Sequence, residues 1–260
     1  MNKITLKKQG EASFIPFVVV GDPDLGTTEK AVEILIEEGA DLIELGVPFS
    51  DALADGPVIQ AASERASTKV SMNDVFNFAK KIRAKHANYP FVLFTYYNPI
   101  FKMGVREFAK RAKEAGIYSV LVVDLPPEEA EEYVAILNDA QVRTVFLASP
   151  TTAKERLGAI SRFSTAFIYY VSRAGVTGVQ SEVSKTLADE VKSVRQLTQN
   201  ELAIGFGISN GAQARQVSQL ADAVVVGSAF VRLIAESGSS QNLEAVKQLA
   251  KEIKQSLKNA

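Results

Sequence analysis

Residues 41–58 read Asp-Leu-Ile-Glu-Leu-Gly-Val-Pro-Phe-Ser-Asp-Ala-Leu-Ala-Asp-Gly-Pro-Val and span a transition from a strand to a helix. The short apolar segment 41–46 predicts a β-strand. A loop punctuated by Pro, Gly and Ser follows and carries Asp51 and Asp55. The amphipathic pattern over 57–69 then predicts a helix. A strand followed in this way by a helix is the building unit of α/β folds.

The same unit recurs along the whole chain. Strands are predicted at 15–20, 41–46, 91–96, 119–124, 143–148, 166–171, 202–206 and 223–227. Most are continuous apolar runs, which is typical of parallel strands that are covered on both faces. Helices are predicted at 27–39, 57–69, 73–87, 104–115, 127–139, 153–163, 182–199, 209–219 and 241–257.

Eight such units in a chain of 260 residues favour a (β/α)8 TIM barrel with extra helices. No linker rich in Pro, Gly or Ser interrupts the repeat, so residues 1–260 are expected to form a single domain. A doubly wound open sheet is the alternative fold. It usually needs fewer strands, and its Gly-x-Gly-x-x-Gly fingerprint after the first strand is absent from this sequence.

Composition excludes several classes of function. The formal net charge of −1 provides no basic surface for nucleic acid or for an anionic membrane. The longest apolar run, 14–20, is too short to span a bilayer, and no cleavable signal follows it. We therefore expect a cytoplasmic protein that binds neither nucleic acid nor membrane.

Cysteine and histidine chemistry is also improbable. The chain has no cysteine, which excludes disulfides, thiol nucleophiles and thiolate metal sites. Its one histidine, His86, lies in a polar segment without a His or Cys partner, so no metal site is expected. Any proton transfer must fall to carboxylates, tyrosines or lysines.

Glu44 is the main candidate for proton transfer. Side chains alternate along a strand, so Glu44 shares a face with Leu42, opposite Ile43 and Leu45. A carboxylate on a strand covered on both faces is partly desolvated, which raises its pKa toward the range useful for acid–base catalysis. A structural ion pair is the alternative interpretation for such a residue taken alone.

Two glycine motifs indicate a phosphate site. The seventh strand ends in Gly-Phe-Gly-Ile-Ser at 205–209, and the eighth in Val-Gly-Ser-Ala at 226–229. Glycine lets the backbone approach an anion, and helix N-terminal amides donate to it. Loops after these two strands often hold phosphate in TIM barrels. Segment 172–180, with two glycines, predicts a lid that closes over the ligand.

Polar residues also stand at two other strand ends. Tyr169 and Tyr170 are adjacent, so alternation predicts that one points into the barrel mouth and the other toward the helices. Asp124 ends the fourth strand. It either belongs to the site or caps the helix predicted at 127–139.

Segment 43–57 resembles the signature of the tryptophan synthase α subunit family. The resemblance extends over the whole chain and includes residues 16–23, 96–99, 124–126, 169–178, 205–209 and 227–228. It implies a (β/α)8 barrel and retro-aldol cleavage of indole-3-glycerol phosphate to indole and glyceraldehyde 3-phosphate. It also implies no cofactor in this chain and a partner β subunit, dependent on pyridoxal phosphate, in an α2β2 hetero-tetramer.

The resemblance assigns roles to single residues. It implies that Glu44 is the acid–base group, that Asp55 accepts the indole N–H, and that Thr177 of the lid positions Asp55. The substrate-binding residues it implies are Phe17, Ile59, Tyr169, Thr177, Gly178, Phe206, Gly207, Gly227 and Ser228. The partner surface it implies comprises Asp51, Ala52, Asn98 and Pro126. The family usually has proline at the position of Ala52, so this loop is expected to be less restrained.

Two other functions stay open at this point. Another phosphate-binding barrel, such as an indole-glycerol-phosphate synthase or a sugar-phosphate isomerase, would be expected to place a lysine at a strand end. No predicted strand ends in lysine, although Lys102 follows the third closely. A non-catalytic regulatory subunit is the second alternative, and the presence of both Glu44 and Asp55 argues against it.

Overall fold

The strands form a closed barrel. The computed structural model describes residues 3–8, 10–87, 89–171, 180–205, 207–238 and 242–258, with the side chains of 180–186 left out. Strands β2 to β9 pair in sequence order, all in parallel, and β2 also pairs with β9. The predicted TIM barrel is therefore confirmed. The strands are β1 (Lys7–Lys8), β2 (Glu11–Val19), β3 (Ile43–Gly46), β4 (Phe91–Thr95), β5 (Ile117–Val122), β6 (Arg143–Ala148), β7 (Ile168–Val171), β8 (Leu202–Gly205) and β9 (Ala223–Val226).

Helices cover the outside of the barrel. Within the described residues they are α1 (Leu25–Glu37), α2 (Pro57–Ser67), α3 (Met72–Lys85), α4 (Tyr97–Met103), α5 (Val105–Glu114), α6 (Glu131–Asp139), α7 (Lys154–Phe163), α8 (Gln180–Arg195), α9 (Gly211–Ser218), α10 (Ser228–Ser237) and α11 (Glu244–Lys258). None of the helices in the described part of the chain combines the length and hydropathy that crossing a bilayer requires.

The sequence patterns missed two helices and misjudged a third. Helix α4 begins Tyr-Asn-Pro, which resembles a turn, yet proline is tolerated in a first helical turn. The Asp124 carboxylate accepts the Tyr97 N–H at 2.7 Å, so Asp124 caps α4 instead of the helix at 127–139. That predicted helix is divided into a 3-10 turn, Pro127–Glu129, and α6. Helix α10, also missed, starts after β9 with only Gly227 between them.

The core has two layers. One fills the barrel interior and includes Ile15, Leu42 and Val225, and the other lies between the strands and the helices. The N-terminal segment closes the bottom of the barrel, where the Ile4 N–H donates to Tyr118 Oη at 3.0 Å and the Leu6 N–H to Glu201 Oε1 at 2.7 Å. The opposite end, where the parallel strands finish, is where the loops of the candidate site meet.

Candidate active site

Glu44 lies on the inner face of β3, in register with Phe17 of β2 and Val92 of β4. Its side chain is 0% exposed, and neither carboxylate oxygen has a hydrogen-bond partner in the described part of the chain. Burial disfavours the charged form and raises the pKa of this carboxyl from 4.5 to about 8. Glu44 is therefore mainly a carboxylic acid at neutral pH, able to give up a proton to a ligand.

Asp55 lies in the loop between β3 and α2, and a tyrosine holds its carboxylate. Tyr96, directly after β4, donates its hydroxyl proton to Asp55 Oδ2 at 2.9 Å. The same hydroxyl oxygen accepts the N–H of Ala54 at 3.0 Å. Burial raises the pKa of Asp55, and the Tyr96 hydrogen bond acts against this rise by stabilising the carboxylate.

Tyr169 and Tyr170 point to opposite sides of β7, as alternation predicts. Tyr170 is buried in the outer layer, where its hydroxyl donates to Glu190 Oε2 of α8 at 3.0 Å. Tyr169 points into the barrel, and its hydroxyl fills the space over Gly205 of β8. Burial and the negative charges of Glu44 and Asp55 raise its pKa well above 10, so Tyr169 stays protonated beside both carboxyl groups.

An apolar wall adjoins the two carboxyl groups. The rings of Phe17 and Phe94 meet edge to face with centroids 5.0 Å apart, and Ile59 of α2 packs in the same cluster. Gly46 is required beneath this wall, since a Cβ there would lie 2.7 Å from Phe17 Cζ. Phe94 and Tyr96 were missed as site residues by the sequence patterns. Their position at the end of β4 was the only available signal.

The start of α10 is the best-placed anion site. Ser228 is its first residue, and the first amides of a helix have no partner within the helix. Gly227 precedes it, and a Cβ there would lie 3.8 Å from Ile59 Cδ1 and 3.9 Å from Phe17 Cβ, so this end of α10 borders the apolar wall. Gly207 adopts a φ of +67°, a conformation that favours glycine.

Helix α9 offers no comparable anion site. The amide of its first residue, Gly211, donates to the Glu252 carboxylate at 2.6 Å. The Gln213 N–H donates to Asn210 Oδ1 at 3.0 Å. These side-chain oxygens occupy the positions that a bound anion would take.

Three predicted substrate-binding residues, Thr177, Gly178 and Phe206, lie outside the described residues, as does most of the predicted lid. The predicted partner residues all follow strand ends on the same side of the barrel. Asp51 and Asn98 are exposed, Pro126 is half-buried, and Ala52 is 6% exposed. The Ala52 carbonyl also accepts the Asp55 N–H at 3.1 Å, which stabilises the turn of the loop between β3 and α2.

Two large apolar side chains beside these residues are exposed and were missed by the sequence patterns. Leu53, in the same loop as Asp55, is 79% exposed, and Phe101 on α4 is 68% exposed. Large apolar side chains exposed on the same rim are characteristic of protein-binding surfaces. No group of three or more His, Cys, Asp or Glu suited to a metal ion occurs among the residues that the structure describes.

Comparisons with known proteins agree on one family. The family profile described as tryptophan synthase alpha chain matches residues 4–260. The tryptophan synthase alpha chain of Polynucleobacter necessarius is 42% identical over 99% of this chain and 99% of its own length. That of Synechocystis is 45% identical over 96% of this chain and 95% of its own length. The crystal structure of subunit alpha from Legionella pneumophila has 33% identity and a TM-score of 0.88, covering 95% of this chain and 93% of that one. A chain from the α2β2 complex of Pyrococcus furiosus has 39% identity and a TM-score of 0.87, covering 96% and 99%.

Proposed function

This chain belongs to the tryptophan synthase alpha chain family, and we propose that it cleaves indole-3-glycerol phosphate to indole and glyceraldehyde 3-phosphate with Glu44 as its acid–base group. The observation that carries the assignment of Glu44 is its fully buried carboxyl group, which has no hydrogen-bond partner in the described chain. A buried carboxyl without a partner destabilises the folded state, and such groups are concentrated at functional sites. Its position in the barrel therefore supports a catalytic role.

The carboxyl of Glu44 can serve both proton transfers. As an acid with a pKa of about 8, it protonates indole C3 and becomes a carboxylate. That carboxylate then takes the proton of the glycerol hydroxyl next to the breaking bond. The O–H electron pair forms the aldehyde, the carbon–carbon bond breaks, and its electrons restore the aromatic indole. One proton has been given and one taken, so Glu44 ends the cycle as it began.

The other groups bind the substrate and stabilise its charge. Protonation at C3 makes the ring nitrogen cationic, and the Asp55 carboxylate accepts its N–H. Phe17 and Phe94 supply an apolar wall for the flat ring. The phosphate is held by the first amides of α10 at Ser228 and by the neighbouring glycines.

Release of indole from indole-3-glycerol phosphate tests this function. The chain contains no tryptophan, so the indole product is observed without an indole background from the protein. We expect indole release by the wild-type chain and competition by glycerol phosphate, which shares the phosphate and lacks the ring. Binding of the substrate without turnover, alone or with a β subunit present, would instead identify a regulatory subunit.

Gly205→Ala probes the contact between β8 and Tyr169. A Cβ at position 205 would overlap the Tyr169 hydroxyl and lie 3.0 Å from its Cζ. We expect kcat/KM to fall about tenfold or more, since the Tyr169 ring must leave its position beside the two carboxyl groups. Adding Tyr169→Phe removes the overlapping oxygen. The double variant should therefore lose less kcat/KM than the two single variants predict when their losses are combined.

The control for this cycle is Gly158→Ala on α7, where a Cβ would meet nothing within 4 Å. It should retain wild-type kcat/KM. Strictly additive losses in the Gly205 and Tyr169 variants would show that the two positions do not interact in the working enzyme.

The partner we propose is the β subunit of tryptophan synthase, in an α2β2 assembly with pyridoxal phosphate held by that subunit. The similarity to a chain of the Pyrococcus furiosus complex supports a β partner. The proposed contact surface is the rim formed by Asp51, Ala52, Leu53, Asn98, Phe101 and Pro126. Its exposed Leu53 and Phe101 are the apolar anchors that such an interface needs.

Phe101→Ser is expected to weaken β binding about tenfold or more, because it removes a large exposed apolar anchor from the rim. Sedimentation of the mixed subunits gives the affinity. Leu197→Ser is the matched control, since Leu197 is 44% exposed after α8, at the opposite end of the barrel. Equal affinities of both variants would place the interface elsewhere.

A further inference from the structure

Tyr96 stands where the candidate site meets the proposed partner surface. It follows β4 and immediately precedes α4, which carries the exposed Phe101. Its side chain is 5% exposed, and its ring packs on Phe49 with centroids 5.0 Å apart and planes 30° from parallel. Tyr96 is thus a fixed point between the helix and the Asp55 loop.

A single hydroxyl group binds two consecutive residues of that loop. It accepts the Ala54 N–H at 3.0 Å and donates to Asp55 Oδ2 at 2.9 Å. The loop's own bonds, from the Leu53 N–H to Asp51 O and from the Asp55 N–H to Ala52 O, fix its turn and leave the carboxylate free to rotate. Within the described chain, the Tyr96 hydroxyl is the group that orients the Asp55 carboxylate.

We infer that Tyr96 is a positioning residue, which aims Asp55 and conveys to it contacts made on α4 by a partner. This inference rests on the proposed role of Asp55. With Oδ2 engaged by Tyr96, Oδ1 is the carboxylate oxygen left to accept a hydrogen bond from the ligand. Because Tyr96 and Tyr97 are adjacent, and Asp124 binds the Tyr97 N–H, a shift of α4 moves the hydroxyl that holds Asp55.

Tyr96→Phe tests the inference, since it removes the hydroxyl and keeps the ring on Phe49. In the isolated chain we expect kcat to fall about ten- to hundredfold with KM little changed, because the substrate still binds while Asp55 is poorly aimed. The pKa of Asp55, followed by NMR of its carboxyl carbon, should move upward, because the bond that stabilises its anion is lost. We also expect a β subunit to raise kcat of the wild-type chain, and the factor of this activation should be smaller in Tyr96→Phe.

Tyr133→Phe is the matched control. Tyr133 is also buried, its hydroxyl has no hydrogen-bond partner in the described chain, and its ring meets that of Tyr97 at 6.3 Å. It should leave kcat, the Asp55 titration and the activation factor at their wild-type values.

Two results would overturn the inference: an Asp55 titration in Tyr96→Phe equal to that of the wild type, or an activation factor equal to that of the wild type. The NMR titration needs no turnover. If the wild-type chain released no indole, the proposed function would fail, and the titration would still decide whether Tyr96 orients Asp55.

Discussion

Glu44→Gln is expected to lower kcat by about 10²–10⁴-fold or more, the usual contribution of a general acid–base group. Glutamine has nearly the same shape and fits the same inward position on β3, but it cannot deliver a proton to indole C3 or take one from the glycerol hydroxyl. KM should change little, since the apolar wall and the start of α10 are untouched. Indole release under saturating substrate measures the effect.

The pH dependence gives this prediction a second measurement. The acid form of Glu44 is lost as pH rises through its pKa of about 8, so kcat/KM of the wild type should decline above that pH. Glu132→Gln, which changes an exposed glutamate of α6, is the control and should keep wild-type kcat. A Glu44→Gln variant with comparable turnover would remove Glu44 from its proposed role.

Glu44→Gln, which lowers activity, should increase the stability of the folded chain relative to the wild type as pH rises. The pKa of Glu44 is about 8 in the folded chain against 4.5 for the unfolded value, so the folded state binds the proton more tightly. The wild-type free energy of unfolding therefore falls as pH rises from about 4.5 to about 8, by on the order of a few kcal/mol. Glu44→Gln lacks this loss, so its stability relative to the wild type should increase over the same range. A difference in urea midpoint between the wild type and Glu44→Gln that stays constant from pH 5 to pH 9 would contradict this prediction.

Sequence patterns were sufficient for the barrel because its strands are buried on both faces. Segments 91–94 and 145–148, for example, are apolar throughout, and this pattern is visible in the sequence without knowledge of the packing partners. The inward orientation of Glu44 followed from alternation along a single strand. Both features are local, so they could be read without knowing the tertiary structure.

Helix α4 and the site residues that the sequence patterns missed depend on contacts between distant segments. Helix α4 is capped by Asp124, 27 residues away along the chain, so its start carries no local capping signal. In the sequence, Tyr96 and Phe94 resemble core residues of a strand, because the residues on either side of them give no indication of contact with the Asp55 loop. The exposure of Leu53 and Phe101 likewise depends on how the loops lie at the rim.

Asp55→Asn is expected to lower kcat by about 10²–10³-fold, the range found when one group that stabilises transition-state charge is removed. Asparagine can still accept the Tyr96 hydroxyl proton through its carbonyl oxygen, but its amide group then faces the indole N–H and carries no negative charge. The cationic ring nitrogen formed after protonation at C3 would lose its partner, whereas the neutral substrate would lose only one hydrogen bond.

The loss should therefore fall on kcat more than on substrate affinity, because Asp55 acts on charge that develops in the transition state. Single-turnover kinetics separates the two, with glycerol phosphate binding as a check that the phosphate site is intact. Asp51→Asn is the matched control, an exposed aspartate in the same loop that should keep the isolated chain's kcat. Equal losses in affinity and turnover for Asp55→Asn would mean that Asp55 only binds the substrate, and that the cation on the ring is stabilised by another group.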